Sequence, residues 1–231
     1  MDQSRVRSRR ALSYRAPNRA APAAEQAEAR TAAQRKKNAV EGAEFPRRLS
    51  RFLDLVATFT SRPVRRFFED ETRLGLHESV TRRRITARGV KPVQPMLPRY
   101  EYFWLYGAVD PSTGESLFFE LPALDTPCFQ AFLLEFSRAF PDTLNVLVLD
   151  GAPPHTAHAL VVPDNVLLFR LPPYSPELNP VERIWLDLRK HLGSDLPASL
   201  SSLADNAARV LRAYTQETLR SLTHFGYSHV L

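Results

Sequence analysis

The stretch Asn145-Val146-Leu147-Val148-Leu149-Asp150-Gly151-Ala152-Pro153-Pro154-His155 decides how the chain is read. Its first five residues are almost uninterrupted apolar, the mark of a strand covered on both faces rather than one with a wet side. The run ends on a carboxylate followed by glycine. An Asp at the carboxyl end of a central strand stands where α/β sheets place their ligands, and Gly151 lets the chain turn away sharply. A second reading stays open, in which Asp150 merely caps a helix beginning near Pro153.

Working outward, Thr126–Phe140 has helical period, with Phe129, Phe132, Leu133, Phe136 and Phe140 on one face. Val166–Leu171 is a second buried-type strand, Pro180–Leu192 is helical, and Pro197–Phe225 reads as one or two further helices. Upstream, Arg66–Glu71 is a short aromatic strand ending in carboxylates. Leu74–Glu78 and Val80–Ile85 can continue it as a hairpin. Tyr100–Val109 and Glu115–Leu121 are two more strands, joined by Asp110-Pro111-Ser112-Thr113-Gly114 with Pro and Gly where a turn needs them. Phe45, Leu49, Phe52, Leu53 and Val56 predict a short helix over Phe45–Phe59. The expected fold is therefore α/β, a mixed sheet flanked by helices. Its order, three meander strands and then alternating helices and strands, matches the ribonuclease-H-like one.

Within 231 residues, 44% hydrophobic and 24% charged, there is room for one well-buried domain and a tail. The single cysteine, Cys128, excludes an internal disulfide. No stretch approaches the roughly 20 apolar residues of a membrane span, so no membrane partner is expected. Residues 1–40 hold ten Lys/Arg against three acids, a net +7, while the whole chain is +6, so residues 41–231 sum to −1. Residues 1–44 read as a basic, mostly disordered tail, with nascent helix over Ala24–Lys37, and residues 45–231 as the folded domain. Such a tail is either a polyanion-seeking arm or a solvated leader.

Three carboxylates stand out. Asp70 ends the first aromatic strand; alternation puts it with Phe68 and Thr72 on one face and Glu69 and Glu71 on the other. Asp150 ends the buried strand. Glu182 follows Asn179 and Pro180, which suit the N-cap and first position of a helix, so Glu182 also fits as the third member of a capping box. Each alone has a structural explanation: an acidic strand end, a cap, a capping box. Together they form an oxygen-rich set of the kind that selects Mg²⁺, or Mn²⁺ in its place. Two such ions, roughly 3.5–4 Å apart, would suit phosphodiester chemistry. His155, five residues after Asp150, either reaches a phosphate or metal or is a polar residue at a helix start. Trp185 and Tyr174 read as packing residues, and Arg183, Arg189 and Lys190 as facing either a DNA backbone or solvent.

The blocks Phe67–Leu76, Leu147–His155 and, most specifically, Leu171-Pro172-Pro173-Tyr174-Ser175-Pro176-Glu177-Leu178-Asn179-Pro180-Val181-Glu182-Arg183-Ile184-Trp185 resemble bacterial insertion-sequence transposases related to mariner elements, the insertion sequence six-thirty family with its DDE triad. Arg88–Pro92 and Trp104–Val109 resemble the family's strands, and the likeness runs from about Phe45 to the C-terminus. The resemblance implies a ribonuclease-H-like catalytic domain and Mg²⁺-dependent cleavage of DNA at transposon ends, with transfer of the 3′-hydroxyl strand into target DNA. Asp70, Asp150 and Glu182 stand at the triad positions, as catalytic residues and metal ligands. The implied partners are inverted-repeat and target DNA and a second copy of the chain in a homodimer, acting in the cytoplasm at the nucleoid. Family members carry helix-turn-helix domains before the catalytic domain, and the 69 residues before Asp70 show no such pattern. An upstream-frame product would then supply one. The rival expectation is a truncated, catalytically idle relic that binds DNA or a full-length transposase.

Overall fold

The computed structural model describes residues 23–76, 101–192 and 197–224, with side chains from Val40 onward. Helix α1 spans Ala23–Thr58, strand β1 Val64–Gly75, β2 Tyr102–Val109 and β3 Ser116–Leu121. Helix α2 (Thr126–Ala139), β4 (Leu144–Leu149), the single turn α3 (Pro153–Thr156) and β5 (Val166–Arg170) follow. A 3-10 turn at Pro176–Leu178 leads into α4 (Val181–Leu192), α5 (Leu200–Ala213) and α6 (Gln216–Thr223). Two compact units divide between Lys37 and Asn38, and the second holds the sheet.

The five strands form one mixed sheet in the order β3-β2-β1-β4-β5. Strand β1 is its centre, antiparallel to β2 and parallel to β4. The alternation of β4 explains its apolar sequence. Val146 and Val148 join one core, with Phe68, Ile184, Trp185 and Leu188. Leu147 and Leu149 join the other, with Phe67, Tyr106 and the Phe129, Phe132, Leu133 and Phe136 face of α2. Each face is thus dry, and the ribonuclease-H-like arrangement of a mixed sheet between helical layers is realised.

Two elements differ from expectation. Strand β1 runs twelve residues, to Gly75, instead of closing at Glu71. Thr72 and Leu74 keep the alternation and pair with Leu105 and Phe103. Leu74 therefore belongs to β1 and opens no hairpin; Val80–Ile85 and Arg88–Pro92 lie outside the described residues. Helix α1 starts at Ala23, so the short helix expected from Phe45 is the end of a longer one, which also covers the Ala24–Lys37 stretch. That stretch is rich in Ala, Glu, Gln, Arg and Lys, residues that favour helix without any burial. From Phe45 onward burial adds to propensity, since Phe45 and Leu49 are fully enclosed.

Candidate active site

Three elements bring carboxylates to one cleft. Asp70 comes from the middle of β1, Asp150 from the position just beyond β4, and Glu182 from the first turn of α4. All three line a cavity of about 580 Å³ whose far wall is the Leu171–Pro176 loop. Asn179 builds the corner. Its side-chain amide donates to the Glu69 carbonyl at 2.8 Å, and its side-chain oxygen accepts from the Val181 N–H at 3.2 Å. One buried side chain thereby starts helix α4 and ties that start to the strand residue before Asp70. The N–H of Asn179 goes to the Pro176 carbonyl, so the reciprocal half of the expected capping box is taken by backbone and Glu182 is left to the cleft.

Asp70 is held by Trp185, whose indole N–H donates to Oδ2 at 2.9 Å. The ring can approach because Gly107, opposite Asp70 on β2, has no side chain. A Cβ there would stand 2.6 Å from Trp185 Cη2 and 2.9 Å from Phe118 Cδ1. Burial, then the neighbouring charges of Glu182 and Glu71, push the Asp70 carboxyl up to about 8, against the opposing pull of the Trp185 hydrogen bond. Asp150 is the opposite case. A hydrogen bond from His155 holds its carboxyl below the usual range, and the Ala152 N–H at 2.8 Å adds to this. Crowded carboxylates of this kind, one of them held protonated by its surroundings, are a set that a cation would relieve. The donors are all oxygen, which fits a hard divalent ion.

His155 stands in the single turn α3, the helix start that one of its two readings gave it, and it is buried there. It is 3% exposed and lines no part of the cleft. Its Nδ1 lies 2.9 Å from Asp150 Oδ1 and its Nε2 2.8 Å from Glu71 Oε1. Glu69 Oε2 lies 4.0 Å from the same Nε2, and neither Glu69 carboxylate oxygen has a hydrogen-bond partner among the described residues. Glu69, Glu71 and His155 bring one ligand-type atom each within 4.8 Å of one another, on the sheet face away from Asp70. Burial lowers the imidazole pKa, but hydrogen bonds to Asp150 and Glu71, with the charges of Glu69 and Glu71, carry it up to about 10. Burial, reinforced by Glu71, drives the Glu69 carboxyl well above the usual range. Elsewhere Arg183 donates to the His224 carbonyl and Arg189 to Thr72 Oγ1, so both guanidinium groups are engaged within the molecule. Tyr174 is 84% exposed at the cleft rim with φ of 56°, which removes the packing role expected for it.

The family profile described as DDE superfamily endonuclease matches residues 65–204, more than half of the chain and the whole of the cleft. The chain belongs to the DDE superfamily endonucleases. Among solved structures, this DDE endonuclease chain is similar to the Mos1 transposase paired-end complex with left transposon end: TM-score 0.61, 17% identity, 96% of this chain and 63% of that one. It is also similar to the mariner Mos1 paired-end complex with Mg, at TM-score 0.57 and 16% identity over the same shares. The Mos1 strand transfer complex matches at TM-score 0.57 and 18% identity over 80% of this chain and 57% of that one. A curated relative, an uncharacterized protein (y4pE/y4sA) of Sinorhizobium fredii, is 45% identical over 87 residues, 37% of this chain and 64% of its own length. The DDE endonuclease chain thus spans a little under two thirds of these relatives.

Sequence reading missed Glu71, Trp185 and Gly107 as parts of the site. The acids beside Asp70 were visible as a cluster, but nothing local joined Glu71 to a histidine 84 positions away. The Gly107 signal, a glycine inside an aromatic strand, was available and marks a close approach.

Proposed function

We propose that this domain is a DNA transposase catalytic core, which cleaves DNA at transposon ends and transfers the exposed 3′-hydroxyl strand into target DNA. The observation carrying the proposal is that Asp70, Asp150 and Glu182, from two strands and a helix, line one cleft of a DDE endonuclease fold. They would hold Mg²⁺ or Mn²⁺, two ions to a site. Such ions supply activation of the attacking oxygen and stabilisation of the leaving one. The protein's own residues orient the ligands: Trp185 steers Asp70, and Asn179 sets the start of the helix bearing Glu182. Arg170, exposed in the same wall, offers a positive charge to a phosphate.

DNA as the partner is supported by the Mos1 relatives, whose complexes contain transposon ends. A homodimer on DNA, an upstream-frame product carrying a helix-turn-helix domain and a nucleoid location are parts of the same reading. No described helix is long and apolar enough to cross a membrane. The idle-relic reading is not favoured, because the family match spans the full set of carboxylate elements.

The test is metal-dependent nicking and strand transfer by the purified protein. Asp70→Asn, Asp150→Asn and Glu182→Gln should each lower Mn²⁺-dependent cleavage by orders of magnitude while unfolding within roughly 1 kcal/mol of the parent. Asn179→Ala should differ, losing roughly 0.5–2 kcal/mol of stability through its cap. Undiminished cleavage by any of the three carboxylate variants would remove that residue from the site.

A further inference from the structure

Asp150 has an anchoring problem. It stands past the last residue of β4, its side chain is 56% exposed, and the next residue is a glycine. The sheet itself therefore fixes only its backbone. Yet Oδ1 accepts two hydrogen bonds, from the Ala152 N–H at 2.8 Å and from the imidazole of His155 at 2.9 Å. Oδ2 has no protein partner among the described residues and is the oxygen left for the cleft.

The imidazole is itself immobilised. It packs against Phe129 with ring centroids 4.3 Å apart, and its far nitrogen meets Glu71 Oε1 at 2.8 Å. Glu71 belongs to the central strand, and its side chain is 6% exposed. Each ring nitrogen faces a carboxylate oxygen, so turning the ring over would set carbon atoms against both, and the ring has one satisfied orientation. A chain of hydrogen bonds thus runs from the middle of the sheet to the exposed tip: Glu71, His155, Asp150.

We propose that His155, anchored on Glu71, is the positioning residue that aims the free oxygen of Asp150 into the cleft. This rests on Asp150 being a metal ligand, as proposed above. A polar residue that merely starts a helix has no need of burial, of an aromatic wall, or of two carboxylates on opposite sides of the ring. Outer hydrogen-bond partners of metal ligands typically carry 10–100-fold in metal affinity or activity, which is the size of effect the geometry assigns to His155.

Two variants of similar polarity separate aim from stability. His155→Asn places an amide near the Nδ1 position, where it can still donate to Asp150. His155→Gln places its amide near the Nε2 position, toward Glu71, and leaves Asp150 Oδ1 with Ala152 alone. Mn²⁺ binding is read from the free-ion electron paramagnetic resonance signal, without DNA or turnover, alongside thermal unfolding and the Mn²⁺ dependence of nicking. The expected result is Mn²⁺ affinity about 10–100-fold weaker for His155→Gln and close to the parent for His155→Asn, with similar unfolding temperatures. Nicking by His155→Gln should recover toward the parent rate at saturating Mn²⁺. Equal affinity in the two variants, or losses that simply follow their unfolding temperatures, would overturn the inference. Asp150→Asn serves as the reference. If it binds Mn²⁺ as tightly as the parent, the metal-ligand reading falls and takes this inference with it. If it loses the ion while His155→Gln retains it, only the positioning role of His155 is refuted.

Discussion

Asp70 sits where burial and crowding act in the same direction. Its carboxyl, pushed up to about 8 by burial and by Glu182 and Glu71, binds a proton in the folded state that it would release in the unfolded chain near 4. Its contribution to stability is therefore complete below that lower value and is lost as pH rises through about 8. His155, carried up to about 10, acts with the same sign. Asp150, held below its usual range, acts oppositely, but its effect is complete well below neutral pH. Without metal, the unfolding temperature should fall between pH 6 and pH 8. A divalent ion competes with the Asp70 proton, so added Mn²⁺ should raise the unfolding temperature more at pH 8 than at pH 6. Thermal scans of the parent and of Asp70→Asn at both pH values check this. An equal metal increment at the two values in the parent would mean that Asp70 binds no ion. The groups that set this shift were not legible in the sequence, where Glu69, Asp70 and Glu71 looked like the acidic end of a strand. They interrupt an apolar strand at its middle because the site is there, and the long reach from Asp70 to Trp185, 115 positions on, leaves no local pattern.

At the scale of elements, helix α4 and strands β1 and β2 form one packed unit around Trp185. The ring lies on the bare backbone of Gly107, edge-on to Phe118 with centroids 5.9 Å apart, and is 1% exposed. A methyl group at Gly107 has no soft neighbour to displace: the nearest atoms are two carbons of that enclosed indole, at 2.6 and 2.8 Å. Gly107→Ala should therefore cost about 1–3 kcal/mol, the usual toll of overpacking. It should also weaken Mn²⁺ binding by moving the indole N–H that holds Asp70. Denaturant unfolding and Mn²⁺ titration of the same preparation check both halves. Unchanged metal affinity in a destabilised variant would show that Trp185 is core and no more. Elements whose burial is uniform were legible: Asn145–Leu149 because both faces are dry, Thr126–Phe140 because its phenylalanines repeat at helical spacing. Strand β1 was read short for the opposite reason, since its polar centre breaks the apolar rhythm on which such reading depends.

Over the whole molecule, charge and site are separated along the chain. Residues 1–40 carry a net +7 and residues 41–231 sum to −1, so the unit that holds the carboxylate cleft brings almost no net attraction for DNA. The boundary between the two compact units falls after Lys37, and all ten basic residues of the N-terminal stretch precede it. A protein cut before Asn38 keeps Phe45 and Leu49, the α1 residues fully enclosed in the core, and should fold with its cleft intact. What it should lose is its hold on phosphates. Each phosphate neutralised by Lys or Arg contributes a slope of about −0.9 to the dependence of log affinity on log salt for duplex DNA. Removing residues 1–37 should weaken binding at low salt and flatten that slope by about 0.9 for each phosphate that is no longer neutralised. Binding should converge with the parent at high salt, where the electrostatic share is screened. Mn²⁺ affinity at the cleft should not move, because none of the carboxylates or their supports lies in the removed segment. Fluorescence anisotropy of a DNA duplex across a salt series reads the slope. An unchanged slope after truncation would mean that the basic residues touch no phosphate, and that DNA is held by charges nearer the cleft, with Arg170 the first to substitute.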